Sequence, residues 1–346
     1  MPEKKKHHYV PKFHLRNFSI DQNGKQLKIC RKQPFLIIGN GDLRSQGYVK
    51  NFYGETDEYE NALADFEGVV SKIIQFVVKH ETIPKKGTDE YNNLHFHTML
   101  QNSRTKAAAD DVNKLTENTI KSITKGDARF EKLGEKLVFE MDQPIFLALH
   151  ALYKSLPKTE DLDFKLIINR SPRSFLTSDC PVLLYNQFLE RRKHPGGHLG
   201  LATKGLQIIF PIHPKYALFF YDERTYNVGY KRRRTVFTED ISDIDSINLL
   251  QYLTADSVLF TNETISDHYL KKLADRSTKT PWEKEFTNTI AHTKDNGDGT
   301  YSEFYHSYMD NPSIKLHLSF VKETSMAKNF KPSGYTVELR QDNRPR

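Results

Sequence analysis

Residues 58–80 read EYENALADFEGVVSKIIQFVVKH, and the apolar side chains Leu63, Phe66, Val69, Val70, Ile73, Ile74 and Val77 return every three or four positions. That spacing predicts an amphipathic helix over Glu58–His80, stopped by Pro84. Downstream, a helical segment is expected from about Asp89 to Thr124, helped by Lys106-Ala107-Ala108-Ala109, and another over Gln143–Ser155. Upstream, residues 7–54 read as β-rich: Gln26–Cys30 alternates, Pro34–Ile38 is a second apolar run, and Gly39-Asn40-Gly41-Asp42 is turn chemistry. After Pro157 the texture changes to short β-like runs, Phe164–Asn169, Ser174–Thr177, Pro181–Tyr185, Leu206–Pro211 and Tyr216–Tyr221. Helices are then expected over Asp240–Thr254 and Ser266–Asp275, with a strand at Ser257–Phe260 between them. The fold class that follows is α+β, a mixed and mostly antiparallel sheet packed against a group of long amphipathic helices. Residues 1–275 form one domain in this reading. Residues 276–346 form a C-terminal β-hairpin extension, with strands at Tyr301–Tyr308 and Ile314–Val321 after the Gly297-Asp298-Gly299 turn, and a polar tail.

The chain has 346 residues, with Lys+Arg 51 against Asp+Glu 44 and a formal net charge of +7. With 22 Phe and 17 Tyr it can fill a core, which excludes global disorder. Its two cysteines, Cys30 and Cys180, cannot make a disulfide framework or a four-cysteine zinc site. No basic-then-apolar leader opens the sequence, and the apolar runs are too short for a membrane span, so the expected setting is the cytoplasm, without a membrane partner. No Walker loop, Gly-x-Gly-x-x-Gly fingerprint or His-Glu-x-x-His helix is present, which argues against nucleotide-triphosphate motors, dinucleotide oxidoreductases and common zinc proteases.

The densest chemistry lies in His7-His8-Tyr9-Val10-Pro11-Lys12-Phe13-His14-Leu15-Arg16-Asn17-Phe18. Imidazole takes and gives protons near neutral pH or binds a metal, and the Arg16 fork suits phosphate or carboxylate. The bland alternative is a solvated basic terminus leading into an aromatic strand or short helix. In Gln101-Asn102-Ser103-Arg104-Thr105 the side chains of Gln101 and Arg104 share one helix turn, and Arg104 could clamp an anion or simply be a solvated helix arginine. His95 and His97, two residues apart, fall on different faces and make no metal pair. Phe175-Leu176-Thr177-Ser178-Asp179-Cys180-Pro181 is a strand running into a turn, a place that presents either an active-site carboxylate at Asp179 or an ordinary turn former. Lys231-Arg232-Arg233-Arg234 reads as a solvated run more readily than as a phosphate grip.

Taken together, these three motifs and Phe210-Pro211-Ile212-His213-Pro214 resemble the family catalogued as domain of unknown function 4238, over roughly residues 6–275. Cys180 stands where that family usually has asparagine, and His213 where it has serine, so neither takes a family role. The resemblance implies one continuous domain and names no reaction. It also implies that His7, His8, Arg16, Gln101, Arg104 and Asp179 converge, joined by Asn248 and Gln251 one turn apart on a later helix.

On that basis the leading expectation is a hydrolase of phosphodiester bonds in a nucleic acid or nucleotide. His7 or His8 would act as base or metal ligand, Asp179 as metal ligand or orienting carboxylate, and Arg16 and Arg104 would neutralise phosphate charge, with Gln101, Asn248 and Gln251 as further groups touching substrate. A divalent metal is the cofactor such a site would take. The alternative is a binding or sensor module for an anionic nucleotide, and a third reading makes the motifs structural.

Overall fold

The computed structural model describes residues 6–124, 140–280, 282, 287–298, 300–310, 312–330 and 338–340. The amino-terminal part runs β1 (Lys6–His8), α1 (Lys12–Arg16), β2 (Gln26–Arg31), β3 (Leu36–Asp42) and β4 (Tyr48–Lys50). Helices α2 (Glu58–His80), α3 (Asp89–Ser103), α4 (Lys106–Thr124) and α5 (Pro144–Ser155) follow. Next come β5 (Asp163–Asn169), β6 (Thr177–Ser178), β7 (Leu183–Tyr185), α6 (Gln187–Arg191), β8 (Gln207–His213), β9 (Tyr216–Tyr221), β10 (Tyr226–Val228) and β11 (Thr235–Thr238). The chain then passes through α7 (Ile241–Thr254), β12 (Val258–Thr261), α8 (Asp267–Thr278), the β13 (Thr287–Asp295) and β14 (Tyr301–Tyr308) hairpin, β15 (Val321–Glu323) and α9 (Ser325–Lys328). This is an α+β fold.

Its strands do not form one sheet. The larger sheet has the order β11-β5-β9-β8-β7, antiparallel except for the parallel β11–β5 pair, and the smaller has the order β3-β2-β12-β6, antiparallel throughout. Side chains alternate across a strand, so Leu166, Ile168, Phe210, Leu218 and Phe220 fill one face of the larger sheet against Val70, Ile74 and Val77 of α2, Leu94 of α3 and Leu152 of α5. Their neighbours Ile167, Ile209, Ala217 and Phe219 fill the opposite face against Ile244, Ile247 and Leu250 of α7. A sheet covered on both sides reads as continuous apolar runs. The smaller sheet is likewise covered, by Leu249, Leu270 and Leu273 on one side and by Val10, Leu15 and Phe18 of the amino-terminal motif on the other.

Two expectations change. The helical run from Asp89 to Thr124 breaks at Arg104-Thr105, and the Thr105 hydroxyl accepts the Ala108 amide at 3.1 Å to start α4. In the tail, residues 314–320 make no strand; β15 alone pairs with β10, while Leu316 and Leu318 enter the core beneath the larger sheet. Residues beyond 275 are therefore packed into the same body as those before it. The hairpin expected around Gly297 is present as β13–β14. Among the described residues no helix is long and apolar enough to cross a membrane.

Candidate functional site

Because β1 is extended and pairs with β4, His7 and His8 point to opposite sides of the ribbon. His7 is buried, its ring stacked on Tyr53 at 5.8 Å, and its Nδ1 accepts the Tyr53 amide at 3.1 Å. His8 lies opposite Tyr48 in the register, with ring centroids 5.7 Å apart, and its Nε2 has no hydrogen-bond partner among the described residues. Burial, and then the charge of Lys12, push the His8 imidazole down to about 4, against backbone hydrogen bonding at Arg44 and Lys6 that raises it. His8 is thus neutral at pH 7.

Helix α1 turns His14 inward, while Lys12 and Arg16, four residues apart, share its exposed side. Arg16 lies outside the buried groups below, its methylenes beside Gly24. Lys6 pairs across the ribbon with Lys50, and the Lys6 Nζ sits 4.7 Å above the Tyr48 ring. His8 therefore borders a face carrying Lys6, Lys12, Arg16 and Lys50.

A second group is built on α3, where His97, Gln101 and Arg104 fall on one stripe at spacings of four and three. Arg104 is fully buried; its Nη2 donates to Glu67 Oε1 at 2.7 Å and its Nε to Gln101 Oε1 at 3.0 Å. Gln101 in turn donates to the Tyr9 carbonyl at 2.8 Å. With Glu67 paired to it and Glu60 nearby, the Arg104 charge is matched within the protein, while its Nη1 has no hydrogen-bond partner among the described residues. Burial raises the Glu60 carboxyl, and His7 opposes that rise. His14 and His97 lie against Phe210; burial and the neighbouring Arg104 push His14 down to about 3 and His97 well below its usual value. His95 goes elsewhere, bonded to the Thr159 hydroxyl at 2.9 Å, as the two-residue spacing required.

A third group holds Asp179, Asn248 and Gln251. Asp179 Oδ1 accepts the Asp256 amide at 3.0 Å. Its Oδ2 accepts the Ser257 amide and hydroxyl, both at 2.8 Å, and the Val258 amide at 3.1 Å. A carboxylate has about four acceptor positions, so Asp179 is occupied in fastening the turn that starts β12. Burial raises this carboxyl, and the Ser257 bonds oppose the rise. Asn248 clamps the Ser174 carbonyl and the Leu176 amide, both at 2.9 Å, while Gln251 donates to Ser178 Oγ at 2.7 Å and to the Cys180 carbonyl at 2.9 Å. These bonds tie residues 174–180 to α7. The eight sequence candidates thus divide: Gln101 and Arg104 meet, with His7 set beside them through Tyr53, Arg16 lies on the outer basic face with His8 buried beneath it, and Asp179, Asn248 and Gln251 hold a loop.

Among the described residues no group of three or more His, Cys, Asp or Glu side chains is arranged to hold a metal ion. Glu67, Tyr53, His14 and His97 complete the Arg104 group and were not legible as its members, since helix periodicity does not state which glutamate of α2 meets which arginine of α3. A cleft of about 1120 Å³ opens between α4, α5 and β7, and of the eight candidates Gln101 alone lies on its wall.

An α+β protein with a buried arginine hub and an imidazole buried beneath a cationic face is the class these observations define. The profile of the family described as Protein of unknown function (DUF4238) matches residues 6–264, which contain all three groups, and the chain belongs to that family. No curated protein and no solved structure matches the chain.

Proposed function

We propose that the protein binds a nucleic acid or nucleotide through the phosphates, on the face formed by β1, β4 and α1. The observation that carries this reading is the set of cations Lys6, Lys12, Arg16 and Lys50 around His8, a buried neutral imidazole whose Nε2 has no hydrogen-bond partner among the described residues. Burial is the main cause of the low His8 proton affinity, and Lys12 and then Lys6 add to it; a bound phosphate that neutralises these cations favours protonation of His8 and gains a positive charge beneath it. Lys12 and Arg16 extend the face by one helix turn. A chain of this length with only two cysteines fits a reducing compartment, and we place this binding in the cytoplasm.

The test is fluorescence anisotropy with labelled single-stranded RNA and DNA oligonucleotides over a range of salt. Affinity is expected to fall with salt, with a log–log slope that shrinks by roughly 0.7 for each phosphate the protein no longer neutralises; the double variant Lys12→Ala/Arg16→Ala should leave one or two phosphates without a cation. Unchanged affinity and slope in that variant would overturn the reading.

A second reading is phosphodiester hydrolysis with His8 as proton acceptor, favoured by the same unpartnered Nε2, which substrate binding would uncover. Product analysis with Mg²⁺, Mn²⁺ or chelator present tests it: turnover lost in His8→Ala but kept in Asp179→Asn supports the reading, and no product from the parent protein removes it.

A further inference from the structure

We propose that the cleft between α4, α5 and β7 is a binding site for a small, uncharged, largely apolar molecule carrying one hydrogen-bonding head group. Its volume of about 1120 Å³ is that of a site for a drug-sized molecule. Val112 and Leu115 of α4, Leu152 of α5, Val182 and Leu184 around β7, and Leu201 supply apolar walls. The polar end lies at the break between α3 and α4, where Gln101, Asn102, Ser103 and Thr105 reach the cleft. Gln101 is already bonded to Tyr9 and Arg104, and Thr105 caps α4. Asn102 and Ser103, both half-buried, remain to meet a head group. Among the described wall residues Lys158 is the single lysine or arginine and Asp111 carries the opposite sign, so the wall lacks the cationic cluster that a phosphate requires. This ligand class differs from the one the His8 face would take, and the two sites stand or fall separately.

The rim shows that the cleft is built. Part of it comes from residues beyond the family match, Trp282, Tyr308, Met309 and Leu339. Leu339 is bridged to Thr203, and on either side the Glu338 carbonyl accepts the Lys204 amide at 2.9 Å and the Arg340 amide donates to Ala202 at 2.8 Å. The nearly buried Arg340 guanidinium grips both Asp161 oxygens, at 2.8 and 3.1 Å, and the carbonyls of Lys158, Leu201 and Thr203. On the other side Tyr308 packs so closely on Gly196 that a β-carbon there would come within 2.6 Å of its ring. Arg340 therefore fixes one edge of the opening and Tyr308 the other.

Trp282 is the sole tryptophan of the chain and lies on the wall, so it reports occupancy directly. The experiment titrates the full chain with N-phenyl-1-naphthylamine, a neutral apolar fluorophore excited by tryptophan emission. Saturable one-to-one binding with energy transfer from Trp282 is expected, 1-decanol displacing the probe and adenosine monophosphate not. Ala151→Phe, which places a ring on the wall from an exposed position of α5, should weaken binding by about tenfold or more. Non-saturable binding, no transfer from Trp282, unchanged affinity in Ala151→Phe, or displacement by adenosine monophosphate would each overturn the proposal.

Discussion

Arg104 and Asp179 are both withdrawn from water, and each is spent on the protein itself. Removing Arg104 leaves Glu67 beside Glu60 without a counter-charge, so Arg104→Ala should cost roughly 3–5 kcal/mol in urea unfolding, with part recovered in Arg104→Ala/Glu67→Gln; equal stability of the single and double variants would contradict the pairing. Asp179→Asn keeps the shape but weakens the bonds to Ser257 and Val258, and a loss of about 1–3 kcal/mol is expected, with oligonucleotide affinity unchanged. His14 makes a pH prediction. Its folded affinity for protons is depressed to about 3 from an ordinary 6.5, so the unfolded chain binds the proton first. The stability His14 confers is complete above pH 6.5 and is lost as pH falls from there toward about 3. Between these limits its share approaches one proton, or about 1.4 kcal/mol per pH unit, and His14→Gln should show a slope shallower by that amount in chemical denaturation at pH 4–6. The sequence reveals that His14 and Arg104 are chemically able groups; it does not reveal that Phe210 and Glu67 stand beside them.

At the scale of elements, what could be read depended on how local the determinants are. Helix α2 lies where its apolar period and Pro84 put it, and β9 spans the run Tyr216–Tyr221 that suggested a strand. The α3–α4 break is hidden because good helix formers lie on both sides and Thr105 looks like any helix threonine until its hydroxyl is seen to cap Ala108. Thr105→Ala should cost about 0.5–2 kcal/mol and, by shifting the wall at the break, weaken binding of the naphthylamine probe; a variant unchanged in both would argue that α3 and α4 are held apart by packing alone. Division of the strands into two main sheets was not legible, since β12 joins β2 by pairing Leu259 with Cys30 across most of the chain's length. The His7-His8 pair shows the same limit on a smaller scale: once the segment is a strand, its two imidazoles must part, yet nothing in the motif itself announces a strand.

For the whole molecule, the two sheets share α7, whose Ile244 and Ile247 serve the larger and Leu249 the smaller, so residues 163–278 form a continuous core. Leu316, Leu318 and Val321 complete that core from beyond residue 275. A chain ended at residue 275 should consequently lose cooperative unfolding by circular dichroism, whereas an independently folding first part would keep it. The molecule also separates its polar features by environment: a matched arginine hub inside, an apolar cleft at the carboxy-terminal side, and an imidazole among cations at the amino terminus. The claim that this last face receives phosphate is tested most directly by oligonucleotide affinity at constant salt from pH 8 to pH 5, in the parent protein and in His8→Gln. Binding that tightens toward pH 5 in the parent and is flat in His8→Gln is the predicted result; the same pH dependence in both proteins would contradict it.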